Sequence, residues 1–207
     1  VAEAEEEAKK QEAVAKTDSD RISGWIKNTK FKGDVRLRYE KHGRENQDGS
    51  SIADRHRTRV RFRWGFDTKV NDRIEAGLRI ATGDSTQGSS ANQTFTGAFN
   101  DKEIWLDRAY VKYSPAAMKN LSFTGGKIAN PFYNTHLVWS GDINPEGFIS
   151  QLNLPVGNNS LFATAGYFPV YEAKDRWEDP YMLGFQVGYD GKIAEKKFKT
   201  AAAYYHY

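Results

Sequence analysis

Cysteine is absent from all 207 residues, which removes any disulfide framework and any thiolate metal site. That absence suits an oxidising compartment. Nor does the chain contain a run of about 18 apolar residues, so a transmembrane helix is excluded. Net charge is slight at +3, apolar residues make up only 39%, and mean hydropathy is −0.74. Taken alone, these values point to a soluble or partly disordered protein. They do not exclude a transmembrane β-barrel, whose strands are apolar only at alternate positions and whose lumen is polar. The first residues after Val1 are acidic and alanine-rich, without a signal-peptide pattern, as in a mature or trimmed chain.

Residues 1–16 (VAEAEEEAKKQEAVAK) predict a solvated helix, because alanine and glutamate favour it. Glu5–Lys9, Glu6–Lys10 and Glu12–Lys16 are spaced i,i+4 with the acid first. A thin stripe of Val1, Ala4, Ala8 and Ala15 fits either the end of a coiled coil or a plain linker helix. Thr17, Asp18, Ser19 and Asp20 offer N-caps for a short amphipathic turn of Ile22, Trp25 and Ile26, which could dock on the body. Residues 1–28 are therefore assigned as a helical linker and 29–207 as the main body.

From Phe31 onward the pattern has period two. Val35, Leu37 and Tyr39 alternate with Asp34, Arg36, Arg38 and Glu40. Further segments follow near 54–67, 73–80, 103–114, 120–129, 147–154, 160–168, 181–189 and 196–207. Alternation bounded by turn residues predicts strands, and nine without a helical break predict an antiparallel all-β body. The connections alternate in length: 41–53, 83–102, 130–146 and 169–180 are long, while 68–71, 115–119, 155–159 and 190–195 are short. That rhythm matches an outer-membrane barrel, with short turns on the periplasmic side and long loops outside. It places the N-terminal helix in the periplasm.

The arginines fix the facing. Arg55, Arg57, Arg59, Arg61 and Arg63 occupy every second position, with Val60 and Phe62 between them and Trp64 next. Five arginines on a lipid face would cost on the order of 10 kcal/mol, so they are expected to face the lumen. Alternate side chains lie about 6.8 Å apart, and neighbouring charges repel by roughly 0.6 kcal/mol in water. Arg36, Arg38, Arg73 and Arg79 extend this basic wall, and Asp34, Glu40 and Glu75 offset part of it. Nucleic-acid binding is disfavoured, since a stacking platform needs aromatics and arginines on the same face. Trp64, Phe66, Trp105, Tyr113, Tyr181 and Tyr189 are expected in the interfacial aromatic girdle.

Several phrases carry a family likeness. They are Gly33-Asp34-Val35-Arg36-Leu37-Arg38-Tyr39-Glu40, Leu78-Arg79-Ile80-Ala81-Thr82-Gly83 and Leu106-Asp107-Arg108-Ala109-Tyr110-Val111-Lys112-Tyr113. Gly125-Gly126-Lys127, Asn130-Pro131-Phe132 and Asp142-Ile143-Asn144-Pro145-Glu146-Gly147 follow in order. Over about 31–154 the chain resembles the outer-membrane porins of diderm bacteria, a β-barrel family; the remainder agrees by pattern only. The resemblance implies a sixteen-strand-type trimeric barrel, of which nine strands would be the N-terminal part, with Thr200–Tyr207 as an internal strand. It also implies a third long loop folded inward, which makes Phe132, Tyr133, His136, Trp139 and Asp142 constriction candidates. Some relatives carry a periplasmic coiled coil and a wall-binding module, so residues 1–16 are similar to the end of such a stalk.

Catalytic and metal sites are not expected. His42, His56, His136 and His206 are scattered, and Asp142, Asn144 and Glu146 lack the full ligand set of a calcium loop. No phosphate-cradling glycine loop or nucleophile elbow occurs. No cofactor is implied. The expected function is passive diffusion of small hydrophilic, preferentially anionic solutes. The partners expected are outer-membrane lipids and two further copies in a homotrimer. The alternative is a barrel that tethers the membrane, through a region preceding Val1, to a cell-wall polymer.

Overall fold

The computed structural model describes residues 24–47, 49–84, 90–172, 179–193 and 196–207. Among these, ten strands form one antiparallel sheet. They are β1 Thr29–Glu45, β2 Ser51–Lys69, β3 Ile74–Thr82, β4 Gln93–Thr94 and β5 Ile104–Tyr113. The rest are β6 Leu121–Lys127, β7 Glu146–Val156, β8 Asn159–Pro169, β9 Tyr181–Ile193 and β10 Lys196–His206. Nine run as a meander in chain order, and the two-residue β4 sits off that path against β2. β1 and β10 each pair on one side only. The all-β antiparallel expectation holds, with one small strand more than expected.

Loop lengths follow the expected alternation except at the first connection. The pattern at 41–53 predicts a long loop, but β1 and β2 continue pairing to Glu45↔Ser51. A tight turn closes them: the Gly49 amide donates to the Asn46 carbonyl at 3.0 Å, and Gly49 takes φ +81°, open to glycine without strain. The hairpin shifts register between His42 and Arg44, and its long strands stand beyond their neighbours. At the opposite end the connections 70–73, 114–120, 157–158 and 194–195 are all short.

Pairing register gives the sheet two faces. Asp34↔Arg63, Arg36↔Arg61, Arg38↔Arg59 and Glu40↔Arg57 share one face. Phe31↔Phe66, Val35↔Phe62 and Leu37↔Val60 share the other. On that apolar face Val35 and Leu37 are 69% and 71% exposed, and Val111, Phe148, Phe185 and Val187 are exposed too. A water-soluble sheet buries such a face. Here the arrangement is reversed: the small apolar cluster of Ile128, Phe132, Ile149, Phe168 and Met182 lies on the polar side, beneath an inturned loop.

Residues 24–28 form one helical turn at the short-turn end. Trp25 packs edge-on against Phe31 and Phe66 at 6.3 and 6.2 Å, so the expected docking contact is made. Ile22, the helix expected at 1–16 and the expected stalk lie outside the described residues.

The two faces predict opposite responses to charge. Leu37→Arg, on the apolar face, should lower folding stability in a bilayer by about 2–4 kcal/mol. Asn153→Arg, on the inner face, should change it by no more than about 0.5 kcal/mol. Equilibrium refolding into lipid vesicles measures both.

Candidate pore lining and constriction

Four strands build a continuous charged surface, because alternate residues in register bring their side chains to one face. Asp34 projects between two arginines. Its Oδ1 accepts from Arg61 Nη2 at 2.7 Å, and its Oδ2 accepts from Arg63 Nε at 2.7 Å. Glu40 does the same further out along the strand, pairing with Arg38 and Arg57 and lying 3.9 Å from Arg59. Each carboxylate therefore offsets part of the repulsion among the arginines it pairs with.

A bulge carries the charged surface onto β5. Arg79 pairs with Arg108 while Ile80 pairs with Leu106, so Asp107 is the extra residue. Two consecutive side chains then turn to the same side, as a bulge allows. Arg79 binds the Asp107 carboxylate. Arg108 Nε donates to Asn144 Oδ1 at 2.8 Å, and Asn144 Nδ2 donates to Asp107 Oδ1 at 2.8 Å. The bulge also reverses the phase before it. Trp105, expected in the outer girdle, instead stands in register with inward Ala81 and against Gly83.

Two loops lie across this surface. In the connection 83–103, β4 continues the β2 ladder past the end of β3, through Arg59↔Thr94 and Val60↔Gln93. The Asn92 carbonyl accepts from Arg59 Nη2 at 2.9 Å, and the Asn92 amide oxygen accepts from Arg36. The connection 128–145 crosses the inner face more fully. Phe132 is 5% exposed and meets Phe168 and Tyr205 at ring distances of 6.0 and 5.3 Å. Gly184 leaves the space its ring occupies; a Cβ there would strike Phe132. Tyr133 exchanges two backbone bonds with the Gln186 side chain, at 2.7 and 2.8 Å. Trp139 Nε1 donates to Tyr205 Oη at 3.2 Å. At the far end, Asp142 reaches Arg63 at 3.6 Å and Arg61 at 4.0 Å.

The structure thus gathers Arg36, Arg38, Arg57, Arg59, Arg61, Arg63 and Arg79 with Asp34 and Glu40. Arg55 belongs to the same row but is exposed in the projecting hairpin, opposite His42. Arg73 does not join the row. It lies in the tight turn 70–73, where its amide donates to Asn71 Oδ1 and its carbonyl accepts from Ser114. Glu75 faces inward at the short-turn end, opposite Lys69 and Lys112. Of the loop candidates, Phe132, Tyr133, Trp139 and Asp142 hold the loop to the inner face, whereas His136 is exposed at its tip. Asn92, Asp107, Arg108 and Asn144 are additional members. The phrase Leu106-Asp107-Arg108 signalled a strand, but alternation alone cannot reveal two inward neighbours. Among the described residues no group of acids and histidines could hold a metal.

An antiparallel meander with an apolar outer face, a charged inner face and an inturned loop is the wall of a membrane channel of the β-barrel type. A family model described as "Putative porin" matches residues 44–207, and the chain belongs to that family. No curated protein matches it. The match includes 155–207, where the residues alone offered pattern only. It begins after the Gly33–Glu40 phrase, so the placing of β1 rests on its register with β2. Membership gives the chain a porin-like role in the outer membrane; no described helix is long and apolar enough to cross one.

Phe132 is the main apolar anchor of the inturned loop. Phe132→Ala should release about 3–5 kcal/mol of packing from it. Residues 128–145 should then become protease-sensitive and exchange amide hydrogens faster, while strands β5–β9 keep their protection.

Proposed function

We propose that the chain lines a water-filled channel for passive diffusion of small hydrophilic solutes, with a preference for anions. The observation that carries this is the charge balance of the inner block. Eight arginines (36, 38, 57, 59, 61, 63, 79 and 108) face four carboxylates: Asp34, Glu40, Asp107 and Asp142. A cationic excess remains beside the loop that narrows the passage. Selection by charge and width needs no bond making, which supports a non-enzymatic channel.

The exposed apolar face fits outer-membrane lipid, and a homotrimer of the kind the resemblance implies would cover part of it. In this orientation the short turns and residues 24–28 face the periplasm. The tethering alternative rests on residues 1–16, which lie outside the described residues.

Arg61→Gln with Arg63→Gln removes two charges and leaves Asp34 and Asp142 uncompensated. With six arginines still facing four carboxylates, the anion-to-cation permeability ratio should fall markedly towards unity, read as a smaller zero-current potential across planar bilayers in a salt gradient. An unchanged anion preference, or cation preference in the parent protein, contradicts the selectivity reading.

A further inference from the structure

The arginine block does not exhaust the cations of the inner face. Towards the short-turn end the inward residues change from arginine to lysine, with Lys112 on β5, Lys192 on β9, and Lys197 and Lys199 on β10. Between that end and the inturned loop lies a cleft of about 520 Å³. Such a volume holds a compact metabolite rather than a single ion. Lys112, Lys119 and Lys199 line it, with Asp190 as its one acid.

The three lysines are not equivalent. Lys199 is held in place, bound to Asp190 at 2.8 Å and seated over the rings of Tyr133 and Phe162 at 5.2 and 5.0 Å. Lys112 and Lys119 make no ion pair or side-chain hydrogen bond among the described residues; Glu75, the cross-strand neighbour of Lys112, is the nearest acid in register. They are therefore available to an incoming anion. A flexible ammonium acts as a compact charge with three donors, well suited to a phosphate or carboxylate.

The remaining lining selects further. Ser122, Gln151, Asn153 and Ser160 present hydroxyls and amides, each able to donate and accept. That set matches vicinal hydroxyl groups, which also do both. Tyr133, half exposed beside Lys199, adds apolar ring surface against which the C–H face of a sugar can lie.

We propose that this cleft is a second solute site, distinct from the arginine block, which takes a small polyhydroxylated anion of the size and chemistry of a hexose phosphate. Solute would pass both sites in series, the guanidinium surface at the loop and the ammonium surface at the short-turn mouth.

Isothermal titration of the folded barrel in detergent tests this without requiring conduction. Glucose 6-phosphate should bind more tightly than either glucose or inorganic phosphate. Lys112→Gln with Lys119→Gln should weaken it about tenfold or more, while the variant keeps the heat-modifiable gel mobility of the folded barrel. Arg61→Gln with Arg63→Gln should leave this binding unchanged, so the site can stand even if the arginine block proves not to select anions. Equal binding by inorganic phosphate would overturn the hydroxyl-recognising part. Undiminished binding by the folded double lysine variant, or no binding by the parent protein, would overturn the site.

Discussion

A guanidinium facing hydrocarbon costs about 2–4 kcal/mol near mid-membrane, and that constraint orients the whole sheet. With arginine at every second position of β2 from Arg55 to Arg63, only one facing is tolerable. Register then propagates the choice. Asp34, Arg36, Arg38 and Glu40 must share the inner face through β1, and Arg79 must share it through β3. Val35, Leu37, Phe62 and Trp64 are left to the outside by the same pleat. A one-residue slip would exchange every one of these side chains, so charge and register specify each other.

Concentrating cations on one face creates a second problem, which the loops help to resolve. Asp34 and Glu40 offset repulsion within the hairpin by pairing with Arg61 and Arg63, and with Arg38 and Arg57. Asp142 arrives from the loop 128–145 to do the same for Arg61 and Arg63, while Asn92 and Asn144 accept from Arg36, Arg59 and Arg108. The arginines are thus both lining and anchor. Apolar packing fixes the other end of the longer loop, where Phe132 enters the space left by Gly184. One loop is held by charge at one end and by packing at the other, across the face that solutes would pass.

Much of this was legible in the residues. Period-two alternation revealed nine strands and their facings, since lipid and water impose opposite demands on adjacent positions. Alternation was silent on three matters. A long loop was expected at 41–53, but paired strands wet on both faces carry no apolar alternation to read, and the hairpin runs on to Glu45. β4 is too short to carry a period. The bulge at Asp107 changes phase without any change of composition, which is why Trp105 was expected outside and Arg108 was not counted in the wall. Loop candidates came from resemblance rather than from spacing. Four of the five hold the loop inward, and His136 does not.

The central claim is the assignment of faces, and the absence of native cysteine makes it directly measurable. Single cysteines would be placed at Val35, Leu37, Phe62 and Trp64, and at Arg57 and Arg63, then spin-labelled in lipid vesicles. Collision with oxygen, which concentrates in hydrocarbon, should dominate at the first four positions. Collision with a water-soluble nickel chelate should dominate at the last two. Chelate accessibility at both sets would contradict the account and indicate a sheet wet on both sides.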